Sequence, residues 1–316
     1  MYAVRKQYVL STPLYAKRQQ LIAQIPNFWA LVFEQSPPEV DAYIQPSDSQ
    51  LFEECLKSLE VSRFEVNPAP VAGTEQEGSP RSLSIKMEFG PNEWFENDVL
   101  EKKFWFRRAN DNWTGLVSEP LQIRWKKGKD LTHGLTDAAV KLWEARQKLS
   151  ASEGKLKESE AEELEALAEK LEQSDEAAPS FFTLFSFVSG RRYVSAEESA
   201  AANAAEAGRR ERRRNGEKVE ESELEESEEL DPFAEILPNG DDLPVLIAEE
   251  VWPNAIKYFS MCNPCASDNY WRNADARSQH KPKRWGMTSC LSWTSRTTKT
   301  KWMMMRAKSR SIYGVL

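Results

Sequence analysis

The strongest constraint on this chain is a short run of alternation. Leu83, Ile85, Met87 and Phe89 are separated by Ser84, Lys86 and Glu88. A period of two places the four apolar side chains on one face of an extended strand and the polar ones on the other. Leu121, Ile123 and Trp125 repeat the pattern around Gln122 and Arg124, and Lys102–Arg108 and Glu60–Val66 read as two further strands. Four strands with one polar face predict an antiparallel sheet covered on one side. Asn110–Gly115 supplies the turn between the last two.

Helical signals bracket the sheet. Leu14, Leu21, Ile25 and Phe28 recur at helical spacing, and Pro13 is expected to kink or restart that first helix. Ser36-Pro37-Pro38-Glu39 reads as a capping box, and Ser47–Gln50 opens another short helix whose apolar face carries Leu51, Phe52, Cys55 and Leu59. A helix is predicted over roughly 136–149. Leu164, Leu167, Ala168 and Leu171 draw a further helical stripe inside the acidic stretch Ser150–Ala178. Ser180–Phe187 is too apolar to be solvated and is expected in the core. Residues 189–231, rich in Ala, Glu and Arg, read as an insertion, mostly disordered or loosely helical. A core signal returns and ends at Phe259. The order helices, sheet, helices makes this an α+β chain with charged insertions at about 150–178 and 189–231.

Charge narrows the partners. The net charge of −8 conceals a split: residues 261–316 carry eleven Lys/Arg against two Asp/Glu, which leaves 31 basic and 48 acidic residues before them. An acidic body suits basic partners and argues against direct or sequence-specific binding of nucleic acid. No apolar run approaches the roughly 20 residues of a membrane helix, and the first residues lack the pattern of a signal peptide. Four cysteines make no disulfide scaffold in a chain this long, so a reducing, intracellular setting is the default. Two histidines build no nucleophilic constellation, no Gly-rich phosphate loop exists, and His133 is expected at the surface. Cys262, Cys265, His280 and Cys290 would need supporting structure as well as ligand count to hold zinc. No metal, cofactor or enzymatic activity is expected.

Five ordered phrases then resemble the nucleosome assembly protein family, specifically its SET-type histone chaperones. They are Ile25–Trp29 (IPNFW), Phe89–Leu100 (FGPNEWFENDVL), Ile123–Thr132 (IRWKKGKDLT), Ser180–Phe185 (SFFTLF) and Glu249–Phe259 (EEVWPNAIKYF). The resemblance implies a long N-terminal dimerisation helix, here residues 1–35 and shortened at its start. An earmuff domain follows over 36–259, a four-stranded antiparallel sheet backed by helices. It further implies a homodimer, with Leu14, Leu21 and Ile25 at the pairing helix. Core histones of either pair are the implied partners, bound by an acidic face for which Asp130, Thr132, Asp241, Asp242, Glu249 and Glu250 are the candidates. A nuclear location follows, with shuttling to the cytoplasm. Two other readings stay open: a regulatory subunit that binds a histone-modifying enzyme such as an acetyltransferase, or a phosphatase, and a scaffold that never handles histones.

Three charged segments carry paired readings. Gly208–Lys218 (GRRERRRNGEK) reads as a nuclear localisation signal in a loop or as a solvated charge run. Glu220–Asp231, with eight acids and no base, reads as a histone contact or as a solvating linker. The basic tail departs from the acidic tail of the family, and the genetic code suggests why. Met and Trp have single codons, so Trp302-Met303-Met304-Met305 read from the third base of each codon gives three aspartates. Met287-Thr288 and Trp293-Thr294 each give another. Residues 261–316 are therefore expected to be an aberrant, disordered tail: a retained intron from about Ser260 to Gln279, followed by an exon in a shifted frame. The alternative is a divergent basic terminus.

Overall fold

Alternating burial builds the sheet. The computed structural model describes residues 2–67, 78–151, 180–216 and 240–261. Four antiparallel strands lie side by side in chain order: β1 (Leu56–Ser62), β2 (Leu83–Phe89), β3 (Val99–Arg108) and β4 (Thr114–Ser118). Ile85 pairs with Val61 on one side and Lys102 on the other, and Met87 with Leu59 and Leu100. These side chains, with Leu83 and Phe104, form the buried inner face. On the outer face Lys86 lies between Glu60 and Glu101 and binds Glu88 at 2.6 Å. The lysine offsets part of the negative charge that the glutamates place on that surface.

Before the sheet come α1 (Tyr2–Ile22), α2 (Phe28–Glu34), α3 (Pro38–Asp41) and α4 (Pro46–Cys55). After it come α5 (Leu135–Ala151), a 3-10 turn (Phe181–Ser186), α6 (Ala196–Arg214), α7 (Asp242–Leu246), a π-turn (Ile247–Val251) and α8 (Ala255–Met261). The phenylalanine-rich 3-10 turn fills the space between the sheet and the helices. Phe182 meets the rings of Phe52, Phe89, Phe95, Trp125, Phe181 and Phe185 at centroid distances of 5.6–6.2 Å.

Two buried titratable side chains fix this turn. Asp48, fully buried, accepts hydrogen bonds from Ser180 Oγ (2.6 Å), Phe181 N (2.8 Å) and Gln45 N (2.9 Å). Burial raises its carboxyl above the usual range, while the three donors act in the opposite direction. Lys102 lies on the apolar face of β3, and its ammonium donates to the carbonyls of Glu119 (2.7 Å) and Phe185 (3.0 Å). Burial holds its pKa well below the usual lysine value. Cys55 is equally enclosed; its thiol donates to Leu51 O (3.1 Å) and is pushed up to about 12, mainly by burial.

Several expectations are corrected. The fourth strand is Thr114–Ser118 and not the 121–125 alternation. Trp125 makes only an isolated bridge to Phe95, and Leu121 N donates to Phe185 O (2.8 Å) in the 3-10 turn instead of to a strand. β1 starts four residues before Glu60, directly from the end of α4. α1 does not restart at Pro13. In the turn that Pro13 disturbs, Ser11 Oγ and Thr12 Oγ1 both donate to Tyr8 O (3.2 and 2.7 Å). The first 35 residues form two helices, because Asn27 adopts a left-handed conformation (φ 56°) before α2. Ser36 caps nothing; its hydroxyl donates back to Phe33 O (2.7 Å), and α3 opens at Pro38 behind Pro37. Gln45 and not Ser47 precedes α4.

The largest correction lies in the predicted insertion. Residues 196–214 form the 19-residue helix α6, capped by Ser195, whose Oγ accepts from Glu198 N (3.1 Å). The helix packs on β3 through Ser199 and Ala202. Ser199 Oγ accepts from Arg108 N (3.1 Å), and Glu198 binds Arg192 and accepts from Asn110 N (3.2 Å). The predicted helix at 164–171, the acidic run Glu220–Asp231 and the Cys/His set in the tail lie outside the described residues.

Asp48→Ala strands three donors in the core, so it should cost roughly 3 kcal/mol. Urea unfolding of the variant beside the parent checks this.

Candidate functional site

Several stretches of the chain contain no cation, and two of them belong to the helical layer. Between Gln19 and Leu56 there is no Lys or Arg, yet six acids occur: Glu34, Glu39, Asp41, Asp48, Glu53 and Glu54. Between Gly240 and Ile256 there is again no Lys or Arg, with Asp241, Asp242, Glu249 and Glu250. The fold packs these stretches together, α3 against α7 and α2 against α8.

An aromatic stack makes the junction rigid. Trp29 lies parallel to Trp252 (centroids 5.7 Å, 5° between planes), and Phe28 stacks on Phe259 at 4.8 Å. Arg18 of α1 lies over Trp252 (4.2 Å) and Tyr15 (4.6 Å) and donates to Trp252 O. Burial pulls this guanidinium down to about 10. Gln19 donates to Leu59 O (2.8 Å), and Arg5 to Gly78 O, so both ends of α1 are tied to the domain.

The acids stand around this stack. Asp242 and Glu249 are exposed; Asp241 and Glu250 are half-buried. Burial raises Asp241, and the neighbouring charge of Asp242 adds to the rise. Burial also raises the Tyr43 phenol, with Asp242 and Asp241 contributing. Tyr258 donates to Glu250 and is shifted upward by burial, by that bond, and by the charges of Glu250 and Glu39. A second knot of like charge forms where Glu53 is raised by burial and by Glu54 and Glu34. Glu249 has one cation, Arg63 at 3.3 Å. Like charges that already repel one another gain when a cation arrives.

The predicted residues divide into two groups. Asp241, Asp242, Glu249 and Glu250 belong to one continuous segment of this acidic surface. Asp130 and Thr132 sit on another loop and are occupied within it. Asp130 accepts from Thr132 N (2.7 Å), Thr132 Oγ1 (2.7 Å) and Gly134 N (2.7 Å), and Thr132 is buried. That loop is rich in cations: Lys129 pairs with Glu93 (2.7 Å) and Lys126 donates to Asn92 O (2.6 Å). Glu34, Glu39, Glu53 and Glu54 were missed, although the absence of Lys and Arg from 19 to 56 marks them in the sequence.

The pairing residues also divide. α1 turns Arg5, Tyr8, Tyr15, Arg18 and Gln19 toward the domain and leaves Tyr2, Leu10 and Leu14 exposed (78, 66 and 64%). Leu14 is therefore on the open face and Leu21 is half-exposed, while Ile25 packs against the domain's own core. Among the described residues, no helix is long and apolar enough to cross a membrane, and no group of three or more His, Cys, Asp or Glu is placed to hold a metal ion.

This combination of a long N-terminal helix, a four-stranded antiparallel sheet and helical layers defines an α+β protein with one acid-rich face. The sequence matches the nucleosome assembly protein (NAP) family over residues 5–261, and the chain belongs to that family. Protein SET of Drosophila melanogaster is 35% identical over 126 residues, 39% of this chain and 41% of that protein. A Schizosaccharomyces pombe protein named as a nucleosome assembly protein is 33% identical over 138 residues, 40% of this chain and 52% of that one. The chain thus spans about half the length, or less, of these curated relatives. The crystal structure of the Vps75 histone chaperone superposes with a TM-score of 0.45 at 18% identity, covering 82% of this chain and 87% of that chain.

Because the Glu53 pKa is raised in the fold, its ionised form opposes folding above that pKa and the penalty vanishes once the group is protonated. Glu53→Gln should therefore raise the melting temperature at pH 7. The gain should disappear below the ordinary carboxylate range of about 4.3. Thermal unfolding across that pH range tests the sign.

Proposed function

We propose that this protein is a histone chaperone that binds core histones on the α3, α7 and π-turn face and assists nucleosome assembly without a chemical step. The observation that carries the reading is the packing of two cation-free stretches, α3 with Glu39 and Asp41 against the segment that carries Asp241, Asp242, Glu249 and Glu250. Histones are dense in Lys and Arg. An acidic surface screens that charge and keeps histones from binding DNA indiscriminately. Each exposed ion pair is worth only about 0–1 kcal/mol, so many weak contacts hold the cargo and still release it to DNA, whose charge density is higher. The nucleus is the corresponding compartment.

Purified core histones should bind with strong salt dependence and be passed to plasmid DNA in a supercoiling assay. The combined variant Glu39→Gln, Asp242→Asn, Glu249→Gln should weaken binding by about tenfold or more, with two- to fivefold from each single change. Unchanged affinity in the combined variant would move the site elsewhere.

We further propose that α1 pairs with α1 of a second copy through Tyr2, Leu10 and Leu14. One side of this 21-residue helix binds its own domain, and the other leaves an apolar stripe that a matching stripe can cover. The double change Leu10→Asp, Leu14→Asp should convert dimers to monomers in sedimentation equilibrium and leave the domain folded. Residues 261–316 have no part in this reading; the frame shift that restores aspartates to that stretch is proposed as their origin.

A further inference from the structure

The end of α6 is a cationic face on an acidic protein. Arg209, Arg210, Arg212, Arg213 and Arg214 occupy its last two turns, against Glu206 and Glu211. Glu206 is shared by Arg209 (3.0 Å) and Arg210 (2.9 Å), so one carboxylate serves two guanidiniums. Arg209 also donates to Asn112 Oδ1 (2.6 Å) at the tip of the β3–β4 hairpin, which fixes where the helix end stands. Arg210 and Arg214, four residues apart, are exposed on one side of the helix, Arg212 is exposed on the opposite side, and Arg213 already has a partner. Because these residues are helical, the expected localisation loop is instead a rigid, basic helix end.

The chain turns off the helix axis at once. Gly216 has φ +83°, a conformation that side chains other than glycine rarely adopt, and its N–H donates to Arg213 O (3.1 Å). Residues 217–231 follow, with nine acids and a single base, Lys218. We propose that the arginine face at the end of α6 is a docking surface for this acidic run of the same chain.

Three arguments select that occupant. The charges are complementary, with three net positive charges over 206–214 facing a net −8 over 217–231. The tether is short: Glu220 lies six residues beyond Arg214, a reach of about 20 Å, whereas the arginine face spans only about 8 Å along the helix. A ligand on so short a tether is presented at an effective concentration of order millimolar, ahead of any free polyanion. Nucleic acid would meet a body carrying 31 basic and 48 acidic residues over 1–260, which repels phosphate at long range. The contact does not depend on the histone reading. Where that reading holds, the arginines are an internal competitor that a basic ligand must displace from the run.

The test uses the full chain and a glutamate-specific protease, with cuts inside 217–231 counted by mass spectrometry. At low salt, Arg210→Ala/Arg214→Ala should be cut about three- to tenfold faster than the parent, and about 0.5 M salt should erase the difference by screening. The parent alone should be cut faster, relative to a control peptide of the same sequence, as salt rises. Equal rates for parent and variant at low salt overturn the proposal. So does tight binding of a fluorescent DNA duplex by the parent that is lost in the variant while the cutting rates stay equal, which would assign the arginines to nucleic acid.

Discussion

The main core of the domain is arranged around one ring. Phe182 touches six other aromatic side chains contributed by α4, the end of β2, the segment after it, the stretch past β4 and its own turn. A 3-10 turn offers too few internal hydrogen bonds to hold such a position by itself. The Asp48 carboxyl and the Lys102 side-chain nitrogen do so, one binding the start of the turn and the other Phe185 near its end. Helical layer and sheet are thereby joined through a segment more than 60 residues distant from β4.

Much of this was legible and some was not, for reasons visible in single residues. β2 announced itself because one face is buried and the other meets solvent. β4 did not, because both its faces are covered: Leu116 packs inward while Val117 packs against Val194 and Ala109 on the other side. Its Gly115 looks like a turn residue, yet it is a strand position where the Trp113 ring lies too close for any Cβ. α6 was invisible to a search for apolar periodicity because Ser199 and Ala202 are its buried side chains; small residues allow close approach and polar groups complete the seam.

The acidic site shows the same division. The segment from Asp241 to Glu250 was recognised by resemblance and stands on the acidic surface. Asp130 and Thr132 were chosen by the same resemblance, but a carboxylate followed two residues later by Thr and four later by Gly is also how a loop ties itself together, and here it does. Charge segregation marks the acidic surface directly. On the outer face of the sheet Lys86 stands among Glu60, Glu88 and Glu101, whereas α2 to α4 carry no cation at all.

The two-point fastening of α1 bears on geometry. Arg5 holds it near one end and Arg18 with Gln19 near the other, about 20 Å apart at 1.5 Å per residue. A rod pinned twice cannot swing; α1 behaves as a splint with a fixed bearing on Trp252 and the carboxylates beside it. Whatever lies against its outer stripe is therefore held at one angle to those carboxylates, a bearing written into the chain.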